Sequence, residues 1–293
     1  PPVETGRWWF ADWRIAGSKV AAHPERAFGP LFFNHYTLHA KTLKMTVQLP
    51  PLGARDEQRV RLQVQRNGAW TTVAESGIDP AARTAHFRVP NWTDTVDTPY
   101  RVVYALRTTD GAATEHTLAG TIRRDPVDQR SLAVADISCN AHYAFPNSAA
   151  AANLAKLNPD LIAFTGDQYY ESTGGYGVDR SGGDASYIDV LRKWVMHGWT
   201  WRELLRDRPS ISIPDDHDVY HGNLWGEGGA VAPGNDGAAE SKGGYKMTAD
   251  FVNAVHRMQT SHHPDSPAQP GKQGITGYYG PLTYGRVSFA VLA

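Results

Sequence analysis

Cysteine is nearly absent from this 293-residue chain: Cys139 stands alone, so no intrachain disulfide can form. A lone cysteine reads as a buried apolar residue or as a thiolate with a use, and without context the buried residue is the commoner case. Charge of one sign is also lacking. A formal net charge of −1 supplies no global field for nucleic acid or an acidic membrane surface. No run of 18 apolar residues occurs, which excludes a membrane-spanning helix. Internal repeats and low-complexity tracts are absent. The glycine-rich stretch 222–244 has no Gly-Lys-Ser/Thr ending, so it is not a nucleotide phosphate loop and reads as a long active-site loop. The chain opens Pro1-Pro2-Val3-Glu4, with neither Met nor a signal-peptide pattern, as expected of a mature or trimmed form.

What is present is an ordinary globular balance, 41% hydrophobic and 20% charged, in a length that suits one large or two ordinary domains. Residues 1–30 set Trp8, Trp9, Trp13 and Phe28 among Gly and Pro, and read as an irregular arm. Residues 31–125 carry the strand period: Leu43–Leu49 and Val60–Gln65 alternate apolar and polar, and Asn67-Gly68 signals a tight turn. Further strands are predicted at Trp70–Ala74, Ala85–Val89, Tyr100–Thr108 and His116–Ile122. Short strands at this spacing without a helical stretch predict an antiparallel β-sandwich. His35, His39, His86 and His116 read there as packing or surface residues rather than ligands.

Asp125-Pro126 marks the junction, and residues 126–293 change rhythm. Strands at Leu132–Ile137, Leu161–Phe164 and Ser210–Ile213 alternate with helices at Ser148–Leu157, Asp184–Met196 and Trp201–Arg206. A helix at Ala249–Gln259 follows, then a hairpin of Tyr278–Tyr279 and Arg286–Leu292. This alternation predicts a layered α/β domain with reactive residues in the loops after the strand C-termini.

Three strand ends deliver ligand-type residues. The first gives Cys139, Asn140 and His142; the second gives Asp167 and Tyr170; the third gives Asp215, Asp216, His217 and Asp218. A carboxylate between two cations can bridge them, and Asp167 is the candidate. A Tyr170 phenolate suits a hard ferric ion, and a Cys139 thiolate favours a transition metal over magnesium. Asp216 is placed to hold a second ion, and His217 to stabilise charge on phosphoryl oxygens. Two neighbouring ions clamp the attacking and leaving oxygens of an in-line displacement and generate hydroxide near neutral pH. His142, Asp215 and Asp218 read as groups that orient ligands, and Asp136, inside its strand, as a turn cap.

Residues 130–292 resemble the alkaline phosphatase D (PhoD-like) metallophosphatase family. The resemblance rests on Ser138-Cys139-Asn140, on Thr165-Gly166-Asp167-Gln168-Tyr169-Tyr170-Glu171 and on Pro214-Asp215-Asp216-His217-Asp218. Later stretches, 244–247, 255–262 and 284–292, look similar too, and the preceding β-sandwich (Ig/fibronectin-like) matches that family's usual N-terminal domain. The resemblance implies a calcineurin-like α/β/β/α core. It implies Fe3+ on Cys139, Asp167 and Tyr170, and divalent ions on Asp167 and Asp216: calcium first, with zinc, manganese or cobalt as alternatives. It further implies an exported protein that hydrolyses phosphomonoesters or phosphodiesters, with Asn140 assisting His217.

One departure qualifies the match. The family carries a Gly-Asp-x-His type motif well beyond the final strand, and this sequence has none. The expectation is therefore a domain incomplete at its C-terminus, finished by a second polypeptide or by a segment not in this sequence. Two other readings stand beside the phosphoesterase. One is a non-catalytic binding module that keeps part of the metal site; the other is an iron-tyrosinate redox protein.

Overall fold

A computed structural model describes residues 14–21, 29–93, 95–107, 111–140, 144–173, 177–221, 230–232 and 243–293. The fold is mixed, with most of its strands in antiparallel sheets. Trp8, Trp9, Trp13 and Phe28, His142, and most of the glycine-rich stretch lie outside the described residues.

Among the described residues the first part of the chain holds seven strands: β1 (Phe33–His39), β2 (Thr42–Gln48), β3 (Arg59–Arg66), β4 (Ala69–Gly77), β5 (Thr84–Pro90), β6 (Thr98–Arg107) and β7 (Ala113–Ile122). They form two antiparallel sheets, ordered β1-β2-β5 and β4-β3-β6-β7. The apolar face of β3, with Val60, Leu62 and Val64, meets Leu43, Met45, Val47 and Phe87 of the other sheet in one core. The alternation read from the sequence is the physical cause: every second side chain leaves water, and burying each contributes roughly 1.5–3 kcal/mol.

Sequence reading missed β1. Its residues, Phe-Asn-His-Tyr-Thr-Leu-His, are buried on both faces, so no polar–apolar alternation marks them. Tyr36 and Leu38 join the sandwich core, while Phe33 joins the core of the following α/β part. His35 stacks on Trp194 at 5.5 Å and on His262 at 4.9 Å, and its Nδ1 lies 2.8 Å from the Ser210 hydroxyl. The histidine is thus buried packing between the two parts. His197 and His263 lie in the same buried layer, 6.4 Å from His35 and 4.5 Å from His262 respectively, ring to ring.

In the second part, β8 (Val134–Ile137), α1 (Ser148–Leu157), β9 (Leu161–Phe164), α2 (Gly183–Leu205), β10 (Ser210–Ser212), α3 (Ala249–Thr260), β11 (Tyr279–Tyr284) and β12 (Val287–Leu292) follow in order. The strands β8, β9 and β10 are parallel, with β9 in the centre. Phe164 and Ile162 face α2 and α3 through Trp194, Leu205, Phe251 and Val255. Leu161 and Ile211 face the β11–β12 hairpin through Tyr278, Leu282 and Val291. The layering is helices, parallel sheet, hairpin.

The helices expected at Asp184–Met196 and Trp201–Arg206 are one continuous helix of 23 residues. Gly198, within this helix, is there for space: a Cβ on it would lie 2.1 Å from the Phe33 ring. Helix propensity is sacrificed locally so that α2 can lie against β1. Among the described residues no helix is long and apolar enough to cross a membrane.

Candidate metal centre

Parallel strands place their C-terminal loops side by side, so residues distant in sequence meet at one edge. The loops after β8 and β9 are joined by backbone hydrogen bonds: Cys139 N–H to the Gly166 carbonyl at 3.1 Å and Asn140 N–H to the Asp167 carbonyl at 3.0 Å. Cys139 and Asp167 both adopt left-handed backbone, φ 54° and 51°. That conformation is uncommon for residues with a Cβ and is found where surrounding structure over-determines the chain.

Asp167 is the pivot. It is buried, and its Oδ1 has no hydrogen-bond partner. Burial pushes its pKa up, against the favourable contact of the Tyr170 hydroxyl. Tyr170 also meets the Cys139 thiol, and burial with these two neighbours raises its pKa. On the other side, ligand atoms of Asp167, Asp216 and His217 all lie within 4.8 Å of one another. Asp167 therefore belongs to two overlapping groups, Cys139–Asp167–Tyr170 and Asp167–Asp216–His217. An orphaned buried carboxylate oxygen between them is what a cation would satisfy. A thiolate, a phenolate and carboxylates form a donor set that fits a hard transition ion beside a divalent one. The residues present fit a metal group.

The remaining site residues take different places. Cys139 is exposed, so the buried-filler reading of the lone cysteine is corrected: the thiol is open at the site. Asn140 Nδ2 is buried without a partner beside the same loops. Asp136 accepts from the Thr165 hydroxyl at 2.7 Å, a tie between β8 and β9 outside the ligand group. Asp215 is exposed and accepts the Asp216 N–H at 2.8 Å. Asp218 is fully buried and braces the loops from beneath. Its carboxyl accepts the N–H groups of Gln168 at 3.1 Å and Asp215 at 2.9 Å, and the Gln259 amide at 3.0 Å.

Sequence reasoning missed Glu171. Its carboxylate is buried and lies 2.6 Å from His217 Nδ1, with Arg180 on its other oxygen at 3.0 Å. The hydrogen bond to Glu171 raises the His217 pKa to about 8. The available signal was its position directly after Tyr170, at the end of the stretch that carries Asp167.

Comparisons with known proteins add no identity. No family model matches the chain, and no curated protein matches it. Among solved structures, a beta-glycosidase from Bacteroides vulgatus is similar to it with a TM-score of 0.28 and 14% identity, over 78% of this chain and 33% of that one. A likeness at that level carries no argument about fold or activity.

Proposed function

We propose that this chain carries the metal centre of a phosphoesterase of the alkaline phosphatase D kind, built on a calcineurin-like core and exported from the cytoplasm. The observation that carries the reading is the buried, unpartnered Asp167 oxygen shared by two ligand-type groups at the edge of a parallel sheet. Cys139, Asp167 and Tyr170 would hold ferric iron, and Asp167 with Asp216 a divalent ion such as calcium. Ions held there supply Lewis acidity, which activates water near neutral pH and neutralises phosphoryl charge.

The chain's own residues supply the rest. His217, kept as the imidazolium near neutral pH by Glu171, offers its Nε2–H to a phosphoryl oxygen, and the buried Asn140 amide is a second donor with no competing partner. Donors fixed in advance need no reorganisation as charge builds in an in-line displacement. The substrate is a phosphate mono- or diester.

The test compares Asp167→Asn with the wild type for iron and calcium content and for hydrolysis of p-nitrophenyl phosphate and bis-p-nitrophenyl phosphate. Loss of metal and of hydrolysis, with an unchanged circular dichroism spectrum, is expected. Full activity in the variant would sink the assignment. A metal-loaded wild type that cleaves neither ester would leave a binding module.

A further inference from the structure

The Glu171 carboxylate divides its two oxygens between two partners. Oε1 accepts from Arg180 Nη2 at 3.0 Å, and Oε2 lies 2.6 Å from His217 Nδ1. The side chain is only 5% exposed, so water does not compete for either oxygen. Arg180 also donates from Nε to the Tyr220 carbonyl at 3.3 Å. The Tyr220 N–H in turn closes on the His217 carbonyl at 3.1 Å. Arg180 therefore grips both the carboxylate that touches the imidazole and the backbone turn that bears it.

We infer that Glu171 is a positioning residue: clamped by Arg180, it accepts the Nδ1–H of His217, fixes the ring, and leaves Nε2 as the nitrogen open to the metal centre. A carboxylate behind a histidine sets both its tautomer and its orientation. The guanidinium makes the arrangement stiff, because its donors form a planar fork with no acceptor. The consequence for catalysis rests on the phosphoesterase reading; the orientation of the ring does not.

The clamp makes a specific demand on Glu171→Gln. The amide has one oxygen. Arg180 can only donate, so that oxygen turns to Arg180 and the NH2 turns to His217. Nδ1 must then be the unprotonated acceptor, and the proton moves to Nε2. Replacing Arg180 as well, in Glu171→Gln/Arg180→Met, frees the amide to offer its oxygen to Nδ1–H again.

The experiment is 15N NMR of the histidine rings in the whole metal-free protein, at a pH where the His217 ring is neutral. Expected are the Nδ1–H tautomer in the wild type, Nε2–H in Glu171→Gln, and Nδ1–H again in the double variant. An unchanged tautomer in Glu171→Gln, or no reversal in the double variant, would overturn the inference. If Glu171→Gln does not fold, Glu171→Asp replaces it. Its shorter carboxylate cannot reach both partners, and the Nδ1 proton should lose its hydrogen-bonded shift; an unshifted proton would be equally fatal. With metal present, ester hydrolysis by Glu171→Gln should fall about 10–100-fold in kcat and recover in the double variant. A wild type that hydrolyses no ester would end the phosphoesterase reading while the tautomer pattern still decides this one.

Discussion

Asp218 Oδ1 accepts the backbone N–H of Gln168 at 3.1 Å and so ties the loop after β9 to the turn after β10. The two loops carry Asp167 and Asp216, and the same buried carboxyl takes the Asp215 N–H on its other oxygen. Burial pushes its pKa up to about 8, a cost the fold sustains to keep the two loops in register.

Asp218→Asn should therefore damage the site from below. One of its two acceptors becomes an NH2 aimed at an N–H group. A buried donor left facing a donor costs about 1–3 kcal/mol. Urea unfolding above pH 8, where the wild-type carboxyl is ionised and both oxygens accept, should show that loss, and metal titration should show weaker binding although Asp218 is not a ligand. Unchanged stability would mean that the loops hold without it.

Gly166→Ala should be harmful for a different reason. Gly166 has φ +110°, and a Cβ there would lie 2.8 Å from the Asp215 Cβ. Both the backbone conformation and the close approach of the loops oppose a side chain. A loss of about 1–3 kcal/mol is expected by thermal unfolding, in the range of backbone strain at functional sites. A variant as stable as the wild type would show that the loops can part freely.

Acid should loosen the junction between the sandwich and the α/β part. Burial lowers the pKa of His35 and His263 to about 3, and that of His197 and His262 well below the ordinary value. Below pH about 6.5 the unfolded chain takes up protons that these buried rings refuse, so stability falls as pH drops toward 3. His35 and His263 each contribute a slope of at most about 1.4 kcal/mol per pH unit in that window. Denaturant midpoints at pH 8, 6 and 5 should decline in that order. A flat profile from pH 7 to 5 would refute the buried, neutral assignment.

Asp189→Asn should destabilise the protein more than Lys193→Met. Lys193 is fully buried, with Nζ 2.6 Å from Asp189 Oδ2 and 3.0 Å from the Tyr220 hydroxyl. Removing Asp189 strands a buried ammonium and costs about 3–5 kcal/mol. Removing Lys193 leaves Asp189 with Arg192 at 3.3 Å and the Tyr220 hydroxyl at 2.9 Å. Chemical denaturation of both variants and of the double variant, which should recover part of the loss, gives the ranking. The reverse order would refute it.

Strands β2 to β7 were legible because each presents one face to a core and one to water, and that alternation is written into consecutive residues. β1 was not, because it is covered on both sides, and the second cover comes from α2 and β10, far along the chain. Gly198 shows the same limit. Nothing next to it in sequence marks its use; in the fold it is the room that Phe33 occupies.

The sequence by itself singled out the ligand-type residues that the fold brings to one sheet edge. Cys139, Asp167, Tyr170, Asp216 and His217 each follow a short apolar strand, and local physics sends such residues to the loops at a sheet edge. Only the tertiary structure decided how they group. Parallel pairing with β9 in the centre makes Asp167 common to both groups. Folding also brings Glu171 and Arg180 behind His217, across 46 residues in the first case. Hydrogen bonds of that kind depend on the separation and angle of chain segments in space, which no local pattern encodes.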